Sequence, residues 1–222
     1  MSRALPSSLR LFLLLVVGAL CVTSARELLG ALSRPDLPMM WWSARAFGLL
    51  AYVALWLSAL FGVMVSAKGA GGLLDKATVA ALHNRWALAA LVATALHVLA
   101  VVFDPVSGVT PLAAFVPLAS ARLRGPITLG TVALLGMVGV AVTTELSRRL
   151  PRWMWRAVHA SAFGTLLLAL GHGVMTGTDT SSSTMRVFYL VSMAVLVGAV
   201  VQRVLLATRG ASRRRAAASP QG

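Results

Sequence analysis

Apolar residues gather into blocks parted by short charged or Gly/Pro-rich breaks, leaving charge-free windows at 11–25, 46–67, 86–103, 125–144, 157–178 and 187–202. A bilayer-spanning helix needs about 20 mostly apolar residues, so each window predicts one membrane helix. The windows 11–25 and 187–202 reach that length only if Arg10, Arg26, Arg186 and Arg203 extend their charged ends toward the headgroups. The expected fold class is an all-α membrane protein, a bundle of six transmembrane helices.

The breaks set the rest of the organisation. Trp41 and Trp42 follow Pro35, Asp36 and Pro38 and suit an interfacial aromatic belt at the start of the second span. The connection KGAGGLLDKAT leads to Thr78, the expected N-cap of the third span, which should stop at Asp104 and Pro105. The longest connection, Asp104 to Pro126, contains TPLAAFVPLASA. That stretch is apolar but interrupted by Pro111 and Pro117, and it reads as a lid lying in the interface. SRRLPRW forms a basic turn before the fifth span, and GTDTSSST a polar one after it. The tail RGASRRRAAASPQG reads as disordered by composition. The expected division is a short N-terminal tail at 1–10, one transmembrane domain at 11–208 and a basic tail at 209–222.

Composition reinforces the membrane reading. The 222 residues are 58% hydrophobic and 12% charged, with a mean hydropathy of +0.83, whereas a soluble domain is about 45–50% apolar and about 25% charged. A basic start and a short apolar stretch also describe a cleavable signal peptide, which leaves two readings of the first window. Cys21 follows Leu20, where a lipoprotein site needs a small residue. As the single cysteine it forms no internal disulfide, and it reads as a packing residue. Net charge is +14, a balance that raises nucleic acid as a partner. Its distribution follows topology instead. With both termini cytoplasmic, fourteen Lys and Arg lie on the inner side and six on the outer: Arg26, Arg34, Arg45, Arg122, Arg124 and Arg186. That asymmetry obeys the positive-inside rule for a multi-pass protein of the plasma membrane.

All four histidines fall inside or at the edge of these windows, His83 with His97 and His159 with His172. An ionisable side chain at membrane depth is costly and marks a functional site. Both pairs ride on odd-numbered spans running the same way, so His83 meets His159 at the inner level and His97 meets His172 at the outer. Rises of about 21 Å and about 20 Å separate the levels. Two haems, each held between two neutral imidazoles, would fill both axial positions and carry electrons rather than substrate. No Cys, Asp or Glu lies at these depths to complete a zinc or copper shell. Fourteen residues nearly restore one helix face but 13 do not, so the fifth span needs a kink, expected at Gly164 or Gly171. Arg85 and Arg156, beside the inner histidines, are candidate partners for haem carboxylates, with interfacial anchoring as the alternative. Trp56, Met137, Met175 and Met193 read as packing residues, and Arg122, Arg124 and Asp179 as solvated loop charge.

HNRW at 83–86, His97 in TALHVLAVVFDP, WRAVHA at 155–160 and LALGHGVMTGTDT at 168–180 resemble the ferric reductase-like transmembrane domain over about residues 44–206. That domain is shared by ferric-chelate reductases, NADPH oxidases and small bacterial membrane cytochromes. The resemblance implies a six-helix bundle with two b-type haems ligated by His83, His97, His159 and His172. Longer members of that family continue into FAD- and NAD(P)H-binding domains, whereas no dinucleotide fingerprint is legible here. A separate cytoplasmic flavoprotein, or membrane quinol, is therefore the expected electron donor. The chain also resembles, more distantly, the haem-bearing membrane subunit of a periplasmic methionine sulfoxide reductase system.

The function expected from these readings is electron transfer across the membrane to an extracytoplasmic acceptor such as a ferric chelate, dioxygen or a protein. The alternatives are an electron-transfer subunit for a periplasmic reductase and a haem-free transport or assembly protein. No residue is expected to be catalytic in its own right.

Overall fold

The computed structural model describes residues 38–66 and 75–218. The window at 11–25, its signal-peptide alternative, Cys21 and most of the second connection lie outside the described residues. Within them the chain is all-helical: α1 (Met39–Ser66), α2 (Lys76–Phe103), α3 (Pro111–Phe115), α4 (Arg124–Glu145), α5 (Arg152–Ala160), α6 (Ala162–Thr176) and α7 (Ser183–Ala218), with a 3₁₀ turn at Thr178–Ser181. Five stretches are long and apolar enough to cross a membrane: α1, α2, α4, the α5–α6 pair and the first part of α7.

Side chains outside the bundle are apolar in a helical rhythm. Leu88, Val92, Leu96, Leu99 and Phe103 form one exposed stripe along α2, as lipid rather than water requires of an outer face. Lipid gives helices no hydrophobic reason to associate, so close packing and hydrogen bonds must join them. Tyr52, Val63, Leu166 and Leu196 form one core, with Trp56 and Met193 packed against it. There the Tyr52 hydroxyl lies 2.7 Å from Ser192 Oγ, and Trp56 Nε1 donates to the Ser192 carbonyl at 2.7 Å. A second core joins Ala54, Ala90 and Met137, and Thr94 donates its hydroxyl to the Met137 sulfur at 3.7 Å. Met175, in contrast, faces outward.

The helix ends follow local chemistry. Asp75, rather than Thr78, is the N-cap of α2. Its carboxylate accepts from the Thr78 backbone N–H at 2.9 Å and from the Thr78 hydroxyl at 2.6 Å. These bonds, the hydroxyl's foremost, hold the Asp75 carboxyl below its ordinary pKa. At the other end α2 stops at Phe103 and Asp104 caps it. In the long connection Thr110 caps α3, the Ala113 carbonyl accepts from Thr131 on α4, and Leu112, Phe115, Val116 and Leu118 remain exposed. α7 runs on to Ala218, into the stretch that composition reads as disordered; its alanines and arginines are good helix formers.

The fifth span is broken, and the break falls at Ser161 rather than at Gly164 or Gly171. Ser161 N–H reaches back to both Ala157 and Val158 carbonyls, at 3.2 and 3.1 Å, and its hydroxyl donates to Val158 at 2.6 Å. The i−3 bonds tighten the turn locally, between His159 and His172. α1 packs along α2 and α4 along α6, whereas α2 and the α5–α6 span have no extended packing on each other. The histidines lie on those two loosely joined spans.

Replacing Tyr52 by Phe removes the buried bond to Ser192 with little change in shape. It should lower stability by about 0.5–1.5 kcal/mol, read as a shift of the unfolding midpoint in detergent.

Candidate functional site: two histidine pairs

Across the gap His83 faces His159, with ring centres 6.0 Å apart, and His97 faces His172 at 6.2 Å. The interplanar angles are 72° and 75°. Neither pair is hydrogen-bonded ring to ring. Instead, three of the four rings turn Nδ1 to a backbone carbonyl of the helix beside them. His83 Nδ1 lies 2.8 Å from the Ser58 carbonyl, His97 Nδ1 2.7 Å from that of Ala44 and His172 Nδ1 2.9 Å from that of Pro126. A carbonyl only accepts, so Nδ1 carries the hydrogen and Nε2 keeps its lone pair.

A single device makes each of these approaches possible. Four residues beyond each carbonyl stands a glycine: Gly62 after Ser58, Gly48 after Ala44 and Gly130 after Pro126. A Cβ there would lie 3.2 Å from His83 Nδ1, 3.0 Å from His97 Nδ1 and 2.7 Å from His172 Nδ1. The ring therefore lies across the one backbone position that has no side chain. By α-helix geometry the same carbonyl also accepts from that glycine's N–H, and its second lone pair takes the imidazole. Gly48 and Gly62 are 14 residues apart on α1, as His97 and His83 are on the antiparallel α2. Ser58 adds a hydroxyl, 3.1 Å from His83 Nδ1, that donates to the His83 carbonyl at 3.2 Å.

His159 departs from this pattern. Its Nδ1 is buried without a hydrogen-bond partner among the described residues, as is Trp155 Nε1. The two rings stack, centres 5.0 Å apart and 23° from parallel. Thirteen and 14 residues beyond Gly130, α4 carries Thr143 and Thr144, whose hydroxyls donate to the carbonyls of Gly139 and Val140 at 2.7 Å each.

A half-open cavity of about 670 Å³ is lined by both His97 and His172, within the size range of cofactor pockets. Gly48, Gly130, Tyr52, Leu55 and Met137 are among its walls, and Trp41, Trp42, Arg45, Arg122 and Asp179 line it toward the ends of the spans. Arg45 pairs with Asp179 through both guanidinium and carboxylate edges, the Nε bond being 3.0 Å. The same guanidinium lies 4.2 Å from the Trp41 ring centre and 4.7 Å from that of Trp42. Asp179 is thus held in a bidentate pair, not left as solvated loop charge. Arg122 reaches the Val106 carbonyl at 3.4 Å, and Arg124 the Leu118 carbonyl at 2.9 Å. Arg85 and Arg156 are exposed and stand outside this cavity's lining, as do His83 and His159.

The ring-centre separations of both pairs, 6.0 and 6.2 Å, are of the size that two imidazoles on one metal would show. With a metal–nitrogen bond of about 2.0–2.1 Å on each side and about 1 Å from that nitrogen to the ring centre, two imidazoles on opposite sides of one metal stand about 6 Å apart. Among the described residues no group of three or more His, Cys, Asp or Glu could hold a bare metal ion. Each level instead holds two facing imidazoles.

The fold and the site define a helical membrane protein with stacked histidine pairs. The sequence model of one family, described as a domain of unknown function (DUF8596), matches residues 39–179, and the chain belongs to that family. The matched stretch holds all four histidines, the three glycines and both members of the Arg45–Asp179 pair. No curated protein and no solved structure matches the chain.

Alanine at Gly130 must displace the His172 ring. Overpacking of this kind costs about 1–3 kcal/mol, with smaller losses expected at Gly48 and Gly62, where the approach is looser. Gly139 and Gly164 face open space, and alanine there should be neutral or stabilising by up to about 1 kcal/mol. Unfolding midpoints in detergent read the series; equal losses at all five positions would contradict it.

Proposed function

We propose that this chain is a di-haem membrane cytochrome b, related in kind to the ferric reductase-like proteins, that conducts electrons from a cytoplasmic donor to an extracytoplasmic acceptor. The observation that carries this reading is the repeated pair of imidazoles at trans-ligand separation, three of them fixed by a backbone carbonyl. Haem held by His83 with His159 and by His97 with His172 would supply one-electron carriers. The chain's own part is to hold the rings. A donated Nδ1–H fixes the tautomer and raises the basicity of Nε2, and a ring that cannot turn needs little rearrangement when charge changes.

The donor face in this proposal is the end bearing His83 and His159. Lys76, Arg85, Arg148, Arg149, Arg152 and Arg156 are all exposed there, a basic surface suited to an acidic flavoprotein. The positive-inside rule assigns that end to the cytoplasm. Arg85 and Arg156 are the cations nearest in sequence to that pair and would neutralise haem carboxylates. The acceptor side is the end where Trp41, Trp42, Arg45, Arg122 and Asp179 line the cavity. A quinol donor, or a periplasmic reductase as the outer partner, uses the same two levels.

The test is a reduced-minus-oxidised spectrum and haem assay on chain purified after haem-replete expression. Two b-type haems per chain are expected, and His97→Ala should lose about half, from the level with the large cavity. A colourless protein would overturn the reading in favour of a haem-free transport or assembly role. Reduction of a ferric chelate by the reconstituted chain and a flavoprotein, with no further outer protein, would identify the chelate as an acceptor.

A further inference from the structure

Among the described residues three imidazoles are anchored and one is not, and the difference follows the sequence of α4. Where α1 supplies a carbonyl and a glycine at both levels, α4 supplies them only once, at Pro126 and Gly130. Thirteen and 14 residues further on stand Thr143 and Thr144. Each carries a side chain where the device needs none, and each directs its own hydroxyl to the carbonyl four residues before it. Thr143 Oγ1 also lies 3.2 Å from the Val140 carbonyl. The carbonyls at the corresponding positions of α4 are therefore already engaged within that helix. Ser161, two residues past His159, ends α5 and leaves the ring on a nine-residue helix, apart from the longer α6 that carries His172. Stacking on Trp155 restrains the plane of the His159 ring, and its Nδ1 has no acceptor among the described residues.

Resting on the haem reading above, we propose that His159 is a displaceable ligand, so that the His83–His159 level binds a small neutral exogenous ligand, of the class of carbon monoxide or free imidazole, while the His97–His172 level stays closed to it. An imidazole without an acceptor on Nδ1 is a poorer donor through Nε2. It also loses more rotational freedom on ligation than a ring already fixed. His83, held by both Ser58 groups, remains as the fifth ligand. In the exchange the bond from His159 Nε2 breaks and the incoming lone pair replaces it. No proton or electron changes hands, and Nδ1 keeps its hydrogen. His97 and His172 are each tied to a separate helix, so neither can leave without breaking an anchored hydrogen bond.

Carbon monoxide titration of the dithionite-reduced, two-haem protein tests this. One haem in two should bind it. In His159→Ala, if both haems are retained, the stoichiometry should stay at one per chain while the binding rate rises by about tenfold or more, the factor carried by about 1.4 kcal/mol. If that variant retains a single haem, carbon monoxide binding should vanish. Binding by neither haem or by both in the parent protein overturns the proposal. So does a second reactive haem in the two-haem variant, or undiminished binding in the one-haem variant. Nitrogen-15 spectra of histidine-labelled chain without haem give an independent readout: three rings in the Nδ1–H tautomer and one in exchange between tautomers are expected, and four alike would overturn it. That measurement tests the ring's freedom even where a colourless protein has overturned the haem reading.

Discussion

The bond from a histidine Nδ1–H to a backbone carbonyl one helix away is the interaction on which the rest of this structure depends. In lipid an imidazole cannot turn to water for its second nitrogen, and a polar group left unpaired there is expensive. A helix carbonyl is available at every residue, but side chains normally shield it. Removing one Cβ opens a single place on the helix where a ring can lie flat and reach the oxygen. That requirement fixes the register of α1 on α2 at both levels and of α4 on α6 near Pro126. It also leaves Nε2 as the nitrogen that faces away from the anchoring helix.

Around these anchors the bundle joins by contacts that work without water. Tyr52, Trp56 and Ser192 tie α1 to α7 through buried hydrogen bonds, and Gly136 lets Thr165 of α6 approach α4, as small residues do at membrane helix crossings. The two histidine-bearing spans have no such close packing on each other. α2 rests on α1, α6 rests on α4, and the space between the two hairpins is spanned by imidazoles and, at one level, by the large cavity. Met137, packed on Ala54 and Ala90, separates the levels.

Much of this was legible from hydropathy and histidine position. Five of the apolar windows are helices of spanning length, the Asp104–Pro105 stop holds, and the common direction of the third and fifth spans puts like histidines opposite each other. The devices that orient the rings were less visible, because a glycine in an apolar window reads as a permissive residue until the facing side chain is known. A signal was nonetheless present: the 14-residue interval of Gly48 and Gly62 repeats that of His83 and His97 on the adjoining span. The 13-residue interval announced a break in the fifth span, but Ser161 provides it, since a hydroxyl that can bond its own backbone bends a helix as readily as a missing side chain. Asp179 was read as loop charge because its partner lies 134 residues away.

That separation bears on the order of assembly. Arg45 belongs to the first described helix and Asp179 to the turn after the fifth span, and His172 lies just ahead of that turn. While the chain enters the membrane from its N-terminus, the pocket near Trp41 and Trp42 lacks its far wall until almost all of the matched stretch has been inserted. The wall of that pocket formed by Arg45 and Asp179 is therefore among the last parts of the matched stretch to be completed.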